Sequence, residues 1–204
     1  DNIRLVRGSH IVVPKLYDHD KCYFFQGTDG RIIFSIPYEY EFTLIGATDA
    51  DHDSIETKPT CSDAERNYLV NFASQYFAKE ISPKDVVWSY SGVRPLYDDG
   101  TGNASAATRD YVLKLEHNGG SAPLLNIFGG KITTYRKLAE AAIAEISKFF
   151  PDLKEPWTAN SCLPGGDFPV QDVAKLIKKL QSEFNFLSDR KAKRLIRAYG
   201  LNAW

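Results

Sequence analysis

Residues Asn126–Glu140 read NIFGGKITTYRKLAE. The apolar run from Pro123 to Phe128 predicts a strand. Gly129 and Gly130 follow it, Lys131 adds a positive charge, and Thr133 and Thr134 stand where a helix begins. Two glycines strip the turn of side chains, so a bound group can come close to the main chain. A threonine there can cap the helix, whose first amides lack partners within it and whose dipole is positive at this end. An ordinary strand-to-helix turn and a seat for phosphate or an anionic ring would both use these residues, because short glycine motifs mean little without context. The helix is expected from Thr134 to about Phe149, with Leu138, Ala141, Ala142, Ile146 and Phe149 on or near one face.

Upstream of this stretch the chain is rich in short strands. Ile3–Val13 (IRLVRGSHIVV) is β-rich, broken by Gly8 and ended by Pro14. Lys21–Gln26 reads as a second strand, Thr28-Asp29-Gly30 as a tight turn, and Arg31–Pro37 and Tyr40–Ala47 as two more strands. The polar stretch Thr48–Thr60 gives way to a helix that Ser62 caps and whose Glu65 completes a capping box. Tyr68, Leu69, Phe72, Tyr76 and Phe77 form its apolar stripe. Val86–Tyr90 returns to strand, followed by SGVRPLYDDG and a loop of Gly, Asn, Ser and Ala. Tyr111–Leu115 and Pro123–Phe128 read as two further strands, separated by the Asn118-Gly119-Gly120 turn. Hairpin-linked strands interrupted by two long helices imply an α+β domain over residues 1–150, with a mostly antiparallel sheet and helices packed on it.

After Pro151 the composition changes. Residues 151–169 hold four prolines and the Gly165-Gly166 pair and read as a linker. Val170–Phe184 and Ser188–Tyr199 are amphipathic helices rich in Lys and Arg. Two helices alone bury little apolar face, so residues 170–204 read as the start of a C-terminal helical domain. With 204 residues, 43% of them hydrophobic, the chain can fill a substantial core. A net charge of −1 gives no reason to expect nucleic acid. Cys22, Cys61 and Cys162 are odd in number and far apart, which fits neither a disulfide framework nor a metal site, and suggests a reducing compartment. No apolar run approaches the ~20 residues that span a bilayer, so any membrane contact is expected to be peripheral. The chain contains no methionine, even at its start, which suggests a piece of a longer protein.

Five motifs in order carry a family resemblance: RGSHIVVP (residues 7–14), IGATD (45–49), SGVRPL (91–96), GGKITTYRKLAE (129–140) and LPGGDF (163–168) followed by RLIRAYG (194–200). Together the chain resembles the flavin-dependent, quinone-linked glycerol-3-phosphate dehydrogenases of the glycine-oxidase and D-amino-acid-oxidase flavoprotein superfamily. The G-x-G-x-x-G strand-turn-helix that holds the adenosine diphosphate half of FAD in that family has no counterpart in this sequence. The resemblance therefore implies the substrate half of the fold, and an isolated fragment that is expected to be inactive and to bind little FAD.

The resemblance also implies a site. Oxidising a secondary alcohol by hydride transfer to flavin requires removal of the hydroxyl proton, a grip on the phosphate, and compensation for charge on the reduced ring. His10 matches the family histidine and is the candidate base; without the motif it would read as a structural histidine. Arg94 offers a planar fork of donors for phosphate or substrate oxygens, against the plain alternative of a salt bridge to Asp98 or Asp99. Lys131 either holds phosphate or neutralises the flavin, while Gly129, Gly130, Ile132, Thr133 and Thr134 face the cofactor with their amides. His10, Arg94 and Lys131 are expected to converge on one cleft beside the glycine turn. Thr48 and Asp49 are given a structural role, and His19, His52 and His117 read as solvated. The implied partners are glycerol 3-phosphate, a quinone or other respiratory acceptor, and a membrane surface touched peripherally from the cytoplasm. A homodimer is compatible, and the basic faces of the last two helices are read as solvated rather than lipid-bound. Two other functions stay open: a non-catalytic binding or regulatory module of the same fold, and an oxygen-using glycerol-3-phosphate oxidase.

Overall fold

The computed structural model describes residues 3–98, 100 and 108–204. Asp99 and the Gly/Asn/Ser/Ala loop at 101–107 lie outside the described residues. The chain divides into two compact units, Asp1–Phe150 and Pro151–Trp204.

The first unit is organised around β1 (Ile3–Pro14). One of its edges pairs antiparallel along nearly its whole length with β6 (Trp88–Tyr97). Its other edge is shared by β4 (Phe42–Gly46) and the two-residue β5 (Ala50–Asp51). Outward from β4 lie β3 (Ile32–Tyr38) and β2 (Tyr23–Gln26), also antiparallel. Gly8 does not break β1, as its low strand preference suggested; the ladder continues through it opposite Gly92. The strand read over Val86–Tyr90 likewise extends to Tyr97, so Arg94 projects from a paired strand.

Side chains alternate across a strand, and here the alternation separates a core face from a second face that buries Val6, Val12 and Leu96 and is open elsewhere. Ile11, Val13, Ile33 and Ile45 are buried against Leu69, Val70, Phe72 and Ala73 of α1 (Asp63–Ser74). Truncating a side chain such as fully buried Leu69 to alanine costs about 2–5 kcal/mol. The helix begins where the capping box places it: Ser62 Oγ accepts from the Glu65 amide, and the Glu65 carboxylate accepts from the Ser62 amide. Tyr76 and Phe77 lie beyond its last turn, yet they continue the apolar packing by stacking near Phe25 and Tyr17. On the opposite face one row crosses five strands: Phe24, Phe34, Gly46, His10 and Tyr90. Phe24 and Phe34 meet edge to face at 5.3 Å, and both are exposed.

A separate hairpin, β7 (Val112–Glu116) with β8 (Leu124–Phe128), turns at Gly119-Gly120. It touches the end of β6, where Lys114 Nζ donates to Tyr97 OH and Phe128 lies 5.5 Å from the Tyr97 ring. From β8 the chain passes through Gly129 and Gly130, both at positive φ, into a 3₁₀ turn over Ile132–Thr134 and then α2 (Tyr135–Ile146). Thr134 does not cap α2. Its hydroxyl is turned back onto Lys131, donating to the carbonyl at 3.2 Å and accepting from the amide at 3.4 Å. No α2 residue is fully buried.

In the second unit, α3 (Val173–Glu183) and α4 (Asp189–Tyr199) pack through Leu180, Ala192 and Ile196, with Val173, Leu176, Ile177, Leu187 and Leu195 around them. Gly165 and Gly200 meet main chain to main chain. The Leu201 amide donates to the Gly165 carbonyl at 2.8 Å, and a Cβ on either glycine would collide with the backbone of the opposing segment. Leu163–Phe168, expected as plain linker, is thus tied to the end of α4.

Candidate active site

His10 lies on the open face of the sheet because Ser9 and Ile11, its neighbours in β1, point into the core. Its ring stacks parallel to Tyr90, the residue opposite it on β6, at 5.0 Å. On its other flank it covers Gly46, where a Cβ would come within 2.2 Å of the imidazole. Arg94 projects from the same face, opposite Val6, and its guanidinium lies over Gly8, where a Cβ would meet it at 2.5 Å. Two strand glycines therefore each clear the space for one polar side chain. Burial lowers the pKa of His10, and the positive charge of Arg94 lowers it further. The ring is neutral at pH 7 and able to accept a proton. Among the described residues its buried Nδ1 has no hydrogen-bond partner, so the doubly protonated cation would have an unmet donor.

Arg94 does not pair with Asp98. Its Nη1 donates to Asp49 Oδ1 at 2.9 Å, and the other oxygen of Asp49 accepts from Arg109 Nη2 at 2.5 Å. Asp49 was given only a structural role in the sequence reading, and Arg109 had none. Asp49 closes the IGATD motif, but Arg109 stands in none of the motifs, and no local sequence signal links the two. The cluster links to the glycine turn through the chain, since Gly129 packs on the carbonyl of Asp110, the residue after Arg109.

Lys131 opens the 3₁₀ turn and is exposed. Among the described residues no hydrogen bond or ion pair joins it to His10 or Arg94. Of the three residues expected in one cleft, His10 and Arg94 project from the same face of the sheet four positions apart along β1, near enough for the arginine's charge to act on the imidazole, and among the described residues Lys131 is connected by way of Gly129, Asp110 and Arg109. The turn itself presents Gly129 and Gly130 without side chains, the amides of Ile132 and Thr133, and an Ile132 side chain that is 92% exposed, while the Lys131 and Thr134 amides bond within the turn. Donors beside an uncovered apolar surface suit a flat ring with a polar, electron-accepting edge, so these residues fit a flavin.

Behind the sheet, Glu65 organises the strands that carry the site. Its carboxylate accepts from Ser9 Oγ at 2.8 Å, Thr48 Oγ1 at 2.7 Å and the Ser62 amide at 3.0 Å, and it pairs with Arg7 at 3.0 Å. Burial alone would raise its pKa; the hydrogen bonds from Ser62, Thr48 and Ser9 outweigh that and bring it down to about 2. His52, expected in solvent, is buried instead, with Nε2 at 2.9 Å from the Thr57 carbonyl. His19 is exposed and reaches the Tyr23 hydroxyl, and His117 lies edge-on to Phe149. Among the described residues no group of acidic, histidine or cysteine side chains could hold a metal, and the three cysteines are free.

The family model described as FAD dependent oxidoreductase matches residues 1–136, two thirds of the chain and every residue of the site just described except its distal helix. The chain belongs to this family. A glycerol-3-phosphate dehydrogenase of Pseudomonas aeruginosa is 44% identical over 202 residues, which are 99% of this chain and 39% of that protein. A D-erythritol 1-phosphate dehydrogenase of Brucella abortus is 42% identical over 199 residues, 98% of this chain and 39% of that protein. Among solved structures, the glycerol-3-phosphate dehydrogenase of Bacillus halodurans complexed with FAD superposes with a TM-score of 0.74 at 26% identity, over 98% of this chain and 38% of that one. The chain thus spans about two fifths of the length of these relatives, and the mixed antiparallel architecture is that of the FAD-dependent family.

Proposed function

We propose that this chain is the substrate-binding and flavin-contacting part of an FAD-dependent dehydrogenase that oxidises glycerol 3-phosphate to dihydroxyacetone phosphate. The observation that carries the reading is the neutral imidazole of His10 on the same sheet face as Arg94, which Asp49 joins to Arg109. In this reading Arg94 and Arg109 hold the anionic substrate, and His10 takes the proton of the C2 hydroxyl. Removing that proton lets the carbonyl form as the C2 hydride leaves. Bound FAD supplies the two-electron acceptor for the hydride. Gly129, Gly130, Ile132, Thr133 and Thr134 line the ring, and Lys131 opposes negative charge on its reduced form. In this reading residues 1–150 form the working domain, and residues 151–204 form a separate helical unit.

The electrons are assigned to a quinone rather than to oxygen, in an enzyme peripheral to the cytoplasmic membrane. Supporting the choice of acceptor, the relatives above are named dehydrogenases. The test is anaerobic addition of glycerol 3-phosphate to the flavin-loaded enzyme that contains this chain. Bleaching of the flavin followed by reoxidation with a soluble quinone is the expected result, and a flavin that stays oxidised overturns the reading. A second reading, oxidation of D-erythritol 1-phosphate, is favoured by the Brucella relative. Both substrates share a phosphate ester and a secondary hydroxyl, and the ratio of their kcat/KM values decides between them.

A further inference from the structure

We propose that Asp49 is a positioning residue, a carboxylate that holds Arg94 and Arg109 side by side so that their remaining donors form one anion-binding fork. This rests on the reading of the two arginines as the substrate grip. Two guanidinium groups brought together repel each other, and their long side chains favour dispersal. Asp49 opposes both effects by giving one oxygen to each arginine, at 2.9 Å and 2.5 Å, with its own side chain only 18% exposed. Because the two oxygens share one carbon, the two guanidinium groups are drawn to the same carboxylate, one on each oxygen. Among the described residues each arginine gives Asp49 a single N–H. A guanidinium has five, so donors remain for a ligand.

The main chain on both sides of Asp49 is clamped to β1. Before it, the Thr48 amide donates to the Ser9 carbonyl at 3.2 Å, and Thr48 Oγ1 accepts from the Ser9 amide at 2.9 Å while donating to Glu65. After it, Ala50 and Asp51 pair with Arg7 and Val6, Asp51 ion-pairs with Arg4, and the His52 amide donates to the Leu5 carbonyl. A two-residue strand contributes little to a sheet by itself. Here it fixes the base of one side chain, and Glu65 extends that support from the opposite face.

The test compares Asp49→Asn, Thr48→Val, Arg94→Ala and Arg109→Ala in the flavin-loaded enzyme that contains this chain. Asp49→Asn is expected to raise KM for glycerol 3-phosphate about tenfold with kcat changed less than about threefold, and Thr48→Val to raise KM by a smaller factor. A merely structural carboxylate would lower the melting temperature and leave the KM of the folded enzyme unchanged. An unchanged or lowered KM for Asp49→Asn, alongside raised values for both arginine variants, overturns the positioning role. If neither arginine variant changes KM, the substrate reading itself fails. Independently of turnover, arginine side-chain NMR signals of the 204-residue chain can be followed during titration with inorganic phosphate. Joint shifts of Arg94 and Arg109 that need about tenfold more phosphate in Asp49→Asn support the role, and equal titrations of the two proteins overturn it. Should Asp49→Asn fail to fold, Thr48→Val carries the same two measurements.

Discussion

At the scale of single residues, the protonation state of His10 decides what the site can do. Its ring is held neutral first by burial and then by the nearby Arg94 charge. A base must be unprotonated to act, so kcat/KM for the flavin-loaded enzyme is expected to fall on the acid side at a pH below the ordinary histidine value. Replacing Arg94 by methionine removes the charge that disfavours the imidazolium, and the acid limb should move to higher pH; a limb that stays in place assigns it to another group. His10→Ala is expected to slow flavin reduction about a hundredfold or more while leaving substrate affinity nearly unchanged, as single-turnover measurements would show. His10 and Arg94 could be singled out in the sequence because each stands in a motif. Arg109 stands in none, and although Asp49 closes the IGATD motif its pairing could not be read, because it is an ion pair between residues 60 apart in the chain. The burial of His52 was equally invisible, since a polar flanking sequence says nothing about a fold-back onto the Thr57 carbonyl.

At the scale of elements, strand glycines are the devices that make the open face usable. Gly46→Ala would place a methyl within 2.2 Å of the His10 ring without any conflict of backbone angle, since Gly46 is not at positive φ. The ring must swing away, so the variant should fold yet lose much of its flavin-reduction rate, while the same change at exposed Gly92, which has open space beside it, should be nearly silent. Sequence reading took Gly8 for an interruption, because a glycine lowers strand preference. Register across a long ladder outweighed that preference, and the missing side chain turned out to be occupied space for Arg94. The capping box at Ser62 and Glu65 was read correctly from spacing alone, yet its second duty could not be. The same carboxylate gathers Arg7 and Ser9 of β1 with Thr48 of the β4–β5 connection, segments far apart in sequence. With its pKa near 2 in the fold against 4.5 unperturbed, Glu65 contributes stability above about pH 4.5 that is lost progressively as the pH falls toward 2. Urea unfolding of Glu65→Gln should accordingly show lower stability at pH 7 and a shallower loss between pH 4.5 and 2; parallel curves would refute the assignment.

At the scale of the whole molecule, the α+β class and antiparallel pairing were legible from hairpin turns and alternating strands. The change of character after Phe150 was legible from proline and glycine content. What composition could not convey is that part of the presumed linker belongs to the helical unit. There the Gly165 and Gly200 contact has a consequence for how the protein tolerates change. Neither glycine is fully buried, and by exposure alone both would be ranked as permissive surface sites. Yet both hold positive φ, and a Cβ would lie 2.1 Å from the Tyr199 carbonyl in one case and 2.0 Å from the Gly165 carbonyl in the other. A rigid main chain offers no flexible tip that could yield. In a saturation scan read by abundance, both positions are expected to reject every other residue, alanine included, as strictly as Leu180 in the helical core rejects polar ones. Gly166, the neighbour whose Cβ would meet only the looser contact at 3.1 Å, should accept alanine. The mutational map of this unit would then show an island of intolerance on its surface, marking where two segments of backbone touch with nothing between them.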